Sequence, residues 1–138
     1  MSVVYTADVT SSGDGRQGAA TSADGVLDLE LASPKEVGGS GAGTNPEQLF
    51  AAGWGACFHS ALRLVARNAK ADLTDSTVTV SVDLVKGEDG YHLGARIVAT
   101  LPGLSQEQAD DLVAQAHQRC PYSKATRGNI DAEVTAKV

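Results

Sequence analysis

Residues 45–70, NPEQLFAAGWGACFHSALRLVARNAK, decide the fold of this chain. Asn45 can cap a helix, Pro46 suits the first helical position, and Gln48 completes a capping-box-like pattern. The run that follows is apolar nearly all round: Leu49, Phe50, Ala51, Ala52, Trp54, Ala56, Cys57, Phe58, Ala61, Leu62, Leu64 and Val65. Such a helix belongs inside a molecule or inside an oligomer, not on a solvated face. Arg63, Arg67 and Lys70 fall toward its C-terminal end, where they suit the helix dipole and read as solvated charge.

On the N-terminal side, Val3, Tyr5, Ala7 and Val9 alternate with polar or small residues, the period of a half-buried strand. A turn cluster at Ser11 to Gly15, the segment Arg16 to Ser22, a turn at Asp24-Gly25 and the alternation of Leu27, Leu29 and Leu31 continue an antiparallel meander. The loop carrying Gly38, Gly39, Gly41 and Gly43 has no Lys-Ser/Thr pair after it and follows no βαβ pattern. It reads as a flexible hinge or lid rather than a phosphate cradle. On the C-terminal side, Val78 to Leu84 and Tyr91 to Leu101 alternate as two strands about the turn Lys86 to Gly90. Ser105 caps a second helix with Ala109, Leu112, Val113 and Ala116 on one face. Pro121 ends it, which places Cys120 where the helix gives way to a loop. Ile130 to Val138 alternate as a last strand. The order βββ-α-ββ-α-β predicts one α+β domain over residues 1–138, with largely antiparallel sheets and a buried central helix.

A net charge of −6 over 138 residues argues against nucleic acid or an anionic membrane surface as partner. The N-terminus lacks the charged head and apolar stretch of a signal peptide, and the longest apolar run, Leu49 to Phe58, is about half a membrane span. The expectation is a cytoplasmic protein. His59, His92 and His117 lie on three elements without ligand spacing, so no metal site is expected.

Cys57 and Cys120 are the only cysteines, and neither belongs to a CxxC pair. They are either two inert buried thiols or a nucleophilic and a resolving thiol brought together by the fold. A cysteine hydrolase would need a histidine placed on Cys57 by the fold, and nothing local supports one, since His59 sits about 200° round the helix. On composition alone Arg16 is a surface arginine and Glu47 a favourable acid in the first turn of a helix. Both readings change if the two meet near Cys57, because a guanidinium lowers a thiol pKa and a carboxylate can hold that guanidinium in place.

Asn45-Pro46-Glu47-Gln48-Leu49-Phe50 with Gly55-Ala56-Cys57-Phe58, then Cys120-Pro121-Tyr122-Ser123-Lys124-Ala125-Thr126-Arg127-Gly128-Asn129, resembles the organic hydroperoxide resistance proteins of the OsmC superfamily over the whole chain. The resemblance implies a thiol peroxidase for organic hydroperoxides, working without haem, flavin or metal. It implies an intertwined homodimer with two interface sites, recycled by a dihydrolipoyl group such as dihydrolipoamide or a lipoylated protein. By the same resemblance Arg16, Glu47, Cys57 and Cys120 form the reactive set.

In that scheme Cys57 is the peroxidatic nucleophile, its thiolate favoured by Arg16, which Glu47 orients. Cys120 condenses with the sulfenic acid to an intramolecular disulfide, exposed at its loop for a reductant. Leu49, Phe50, Trp54 and Phe58 would form an apolar wall that favours alkyl hydroperoxides. Glu47 and Cys57 are about 15 Å apart along one continuous helix. Either the helix breaks at Gly53 or Gly55, or a partner subunit brings Arg16 and Glu47 to Cys57, and the second option is expected. The rival readings are a non-enzymatic module that binds a hydrophobic ligand and a slow redox sensor.

Overall fold

The computed structural model describes residues 1–138, which form two compact units, Met1–Leu49 and Phe50–Val138. In the first unit, β1 (Val9–Ser12), β2 (Ala19–Ser22) and β3 (Asp28–Glu30) make an antiparallel sheet in that order, with Val9 opposite Ser22 and Ala20 opposite Leu29. The first strand therefore starts where the sequence pattern placed its end. Val3, Val4 and Tyr5 lie outside any strand and are exposed. Alternation marks a strand only when some surface covers its apolar face, and within the single chain nothing covers this one.

The glycine-rich loop is tied by its own backbone hydrogen bonds. Gly38 and Gly39 donate to the Lys35 and Pro34 carbonyls, Gly41 donates to Ser33, and Leu31 bridges to Thr44. A Cβ on Gly39 would stand 1.9 Å from the Ser33 oxygen, so this glycine is required by close packing of backbone on backbone.

Helix α1 (Pro46–Asn68) is a single helix of 23 residues. Asn45 caps it as expected, its Oδ1 accepting from the Gln48 N–H at 2.9 Å. The Gln48 side chain accepts from the Thr44 hydroxyl at 2.7 Å, rather than closing the capping box. At this length α1 is long and apolar enough to cross a membrane, but Trp54, Phe58, Ala61, Leu62, Val65 and Ala66 are buried in protein core. Ala52, Ala56, Ser60 and Leu64 on its other side are exposed, so one chain encloses one face of this helix.

The buried face packs in a core with Ile97, Leu101, Leu112, Val113 and Ala116. Ile97 comes from the second sheet, β4 (Thr77–Gly87) and β5 (Gly90–Thr100), an antiparallel hairpin that closes at Gly87 and Gly90, and Leu101 follows directly after β5. Gly90 takes φ +120°, a conformation reserved for glycine. Helix α2 (Gln106–Arg119), capped by Ser105 at 3.2 Å from the Gln108 N–H, supplies the remaining core residues. The short α3 (Pro121–Thr126) follows, and β6 (Glu133–Lys137) returns parallel to β5, completing the order β4-β5-β6. The architecture is mixed α+β with two three-stranded sheets, antiparallel apart from this last pair.

Candidate functional site

The loop of the β1–β2 hairpin turns through a single 3₁₀ turn, Gly15–Gln17, with Gly15 at φ +63°. Gly18 closes the loop so tightly that a Cβ there would stand 2.0 Å from the Ser12 oxygen. This geometry presents Arg16. Its guanidinium grips Glu47 in a two-pronged pair, Nη1 donating to Oε2 at 2.9 Å and Nη2 to Oε1 at 2.8 Å. The hydrogen bond to Arg16 holds the Glu47 carboxyl below its usual range, against the opposing effect of burial, and the same bond raises Arg16. Arg16 is 47% exposed and Glu47 15%. Two of the four expected reactive residues are thus brought together.

The other two meet in the second unit. Cys57 and Cys120 are both free thiols, Cys57 half-buried and Cys120 fully buried. Their sulfurs are close enough for hydrogen bonding and charge at Cys120 to act on Cys57. Burial is the main influence on the Cys57 thiol and pushes its pKa up. A hydrogen bond from the Tyr122 backbone N–H pulls it down, and the Cys120 sulfur pushes it up again. The expected depressed thiol is therefore not what the chain alone provides: all the causes of the shift lie within residues 50–138, and the net direction is upward.

The placement of Cys120 also differs from expectation. It is the single residue between α2 and α3, with an extended backbone (φ −62°, ψ 121°), its N–H donating to the Ala116 carbonyl at 2.8 Å. Pro121 is at the start of α3, where a proline fits as well as it fits after a helix end. The expected exposed loop is a buried joint between two helices, with no open surface for a reductant.

Trp54 and Phe58 likewise leave the expected apolar wall. Both are fully buried core residues, Trp54 meeting Phe50 edge to face with ring centroids 5.9 Å apart. Leu49 and Phe50 keep accessible surface. The option of a helix break at Gly53 or Gly55 is closed, since α1 runs through both.

The histidines occupy separate places. His59 Nε2 pairs with Ser76 Oγ at 2.9 Å, His92 with Asp89 at 2.6 Å, and His117 packs against Phe58 with its Nδ1 buried and unpartnered. Burial lowers both His59 and His117, helped by Arg63 and Arg127 respectively. Two participants carried no role in the sequence reading. One is the Tyr122 N–H, whose donation becomes available because Pro121 starts α3. The other is Ser123, a buried serine that accepts from the Trp54 indole at 3.1 Å. The only signal for Ser123 was its place in the run after Cys120.

The OsmC-like protein family matches this chain over residues 38–135. The organic hydroperoxide resistance protein-like 2 of Staphylococcus epidermidis is 48% identical over 134 residues, covering 95% of this chain and 94% of that protein. The organic hydroperoxide resistance protein OhrB of Bacillus subtilis is 46% identical over 136 residues, 97% of this chain and 98% of its own. The crystal structure of an organic hydroperoxide resistance protein from Legionella pneumophila superposes with a TM-score of 0.93 at 47% identity, covering 99% of this chain and 100% of that one.

Proposed function

This chain belongs to the OsmC family, in its branch of organic hydroperoxide resistance proteins, and from that premise we propose that it acts in organic hydroperoxide resistance as a thiol peroxidase. The observation that carries the reading is the meeting of Cys57 and Cys120, two free thiols far apart in sequence, with the Cys120 sulfur within hydrogen-bonding reach of Cys57. One is accessible enough to meet a substrate and the other is sequestered behind it.

The Cys57 thiolate attacks the terminal oxygen of an alkyl hydroperoxide, the O–O bond breaks, and the electron pair leaves on the alkoxide, which takes a proton from water to become the alcohol. Cys57 is then a sulfenic acid. The Cys120 sulfur attacks it, a disulfide forms, and the hydroxyl leaves as water. A dihydrolipoyl-type dithiol returns both cysteines to thiols and is itself oxidised to a disulfide. Because Cys120 is buried, the dithiol attacks the Cys57 sulfur and expels Cys120.

The first step needs a thiolate, and the upward shift of Cys57 calls for a cation. We assign that role to Arg16 of a partner subunit in a homodimer, held by its own Glu47. The roughly 15 Å rise between Glu47 and Cys57 along an unbroken α1 supports this arrangement. So does the apolar surface left uncovered in one chain, at Val3, Val4, Tyr5 and Leu64. The guanidinium also offsets the charge that develops on the departing alkoxide.

The test is consumption of tert-butyl hydroperoxide and of hydrogen peroxide with dihydrolipoamide as reductant, in wild type and Cys57→Ser. Fast turnover of the organic peroxide that depends on Cys57 is the expected result. Absence of turnover would put the hydrophobic-ligand reading in its place.

A further inference from the structure

Helices α1 and α3 carry a symmetric arrangement around the thiols. Trp54 precedes Cys57 by three residues on α1, and Ser123 follows Cys120 by three at the start of α3. Residues three apart on a helix share a face, so Trp54 stands one turn from Cys57, while Ser123 lies in the first turn of α3, three residues past the Cys120 cap. Trp54 Nε1 donates to Ser123 Oγ at 3.1 Å, with both side chains fully buried. The indole N–H can only donate, and buried it has no water to turn to if Ser123 is lost. Helix α3 is six residues long with no side-chain cap at its start, so little within it fixes its position. A second contact reinforces the tie: a Cβ on Gly53 would come within 3.1 Å of the Tyr122 hydroxyl, which shows the Tyr122 ring seated on α1 at that point.

Resting on the peroxidase reading above, we infer that Trp54 and Ser123 are positioning residues for the resolution step, clamping the Cys120 turn at the register that lets its sulfur reach Cys57. Attack on the peroxide depends on Cys57, its cation and the Tyr122 N–H, which the Tyr122 ring on Gly53 keeps in place, so loss of the Ser123 hydroxyl falls mainly on the second step. Disulfide formation depends on the placement of Cys120. When resolution slows, a second hydroperoxide reaches the Cys57 sulfenic acid first, transferring an oxygen to give sulfinic acid and a second alcohol. The clamp thus decides whether oxidised Cys57 is recovered or lost.

The experiment treats reduced full-length protein with tert-butyl hydroperoxide in the absence of reductant and quantifies Cys57–Cys120 disulfide and Cys57 sulfinic acid by mass spectrometry. Displacement of reacting groups by about 1 Å can cost ~100-fold, so a looser turn in Ser123→Ala is expected to slow disulfide formation by ~10-fold, with loss of Cys57 thiol within about twofold of wild type. Sulfinic acid then accumulates with excess peroxide. Ser123→Thr, which keeps the hydroxyl, restores the disulfide. If Ser123→Ala does not fold, Trp54→Phe removes the same bond from the other side and is expected to shift the partition in the same direction. An unchanged ratio of disulfide to sulfinic acid in the variant overturns the clamp, as does equal failure of the Ala and Thr variants. A wild-type chain that forms no disulfide at all overturns the peroxidase reading itself and the clamp with it.

Discussion

The Arg16–Glu47 pair and the Cys57–Cys120 pair are built on opposite principles. The first is a surface device: a tight hairpin loop offers a guanidinium, the first turn of α1 offers a carboxylate, and the two lock with good geometry while Arg16 stays 47% exposed. The second is a core device, in which a half-buried thiol on α1 meets a fully buried one at the joint between α2 and α3. An exposed ion pair contributes only about 0–1 kcal/mol to stability, so the value of the first lies in orienting a cation. Burial gives the second its proximity but pushes Cys57 away from the thiolate. In the proposed homodimer each pair supplies what the other lacks, charge in one case and nucleophilic sulfur in the other.

The largest effect should come from the core device. Cys57→Ser is expected to bring hydroperoxide consumption down to that of the uncatalysed mixture, measured by peroxide loss with dihydrolipoamide. Arg16→Ala should follow, with a fall on the order of 100–1,000-fold in the rate of Cys57 oxidation, the range seen when an electrostatic donor is removed from a reacting centre. Arg16→Lys should recover little, because a single ammonium cannot match the two-pronged contact with Glu47. Ultraviolet thiolate absorbance across pH checks the cause: the Cys57 titration should move upward in both variants. An unmoved titration with lost activity would break the assignment of Arg16 as activator.

How far these two regions could be read from the sequence follows from their physics. The start of α1 was legible because Asn45-Pro46 carries its signal locally, and the β4–β5 hairpin because alternation there is complete on both strands. The Val3 to Val9 segment misled because alternation does not say which surface covers it. Pro121 misled because a proline that stops one helix can start the next. Trp54 and Phe58 misled because a buried aromatic and a ligand-facing one look alike in a helical run. Neither the Arg16–Glu47 grip nor the Cys57–Cys120 meeting could come from spacing, since both join segments distant in sequence. They were expected only through family resemblance.

Smaller effects sharpen the contrast in stability. Trp54→Phe strands no donor but loses a buried hydrogen bond and leaves Ser123 unpaired, an expected cost of about 1–3 kcal/mol in urea unfolding. Glu47→Gln should cost less than about 1 kcal/mol by the same measurement, while lowering activity. The pH dependence is smaller again, with a definite sign. His59 and His117 bind protons less readily folded than unfolded, so stability should be fullest above about pH 6.5 and decline as pH falls through their lowered folded values. Glu47, also lowered, adds a further loss below about pH 4.5. His59→Gln should flatten the first of these declines.

In the proposed homodimer the charge on one subunit completes the thiol on the other, and mixing two impaired variants tests this most directly. Arg16→Ala and Cys57→Ser proteins are unfolded together, refolded as a mixture and assayed with tert-butyl hydroperoxide. Random pairing makes half the dimers mixed, each with one complete site, so activity should return to about a quarter of wild type. Activity no greater than the sum of the two variants refolded separately would contradict the claim, placing Arg16 and Cys57 of any working site in the same chain.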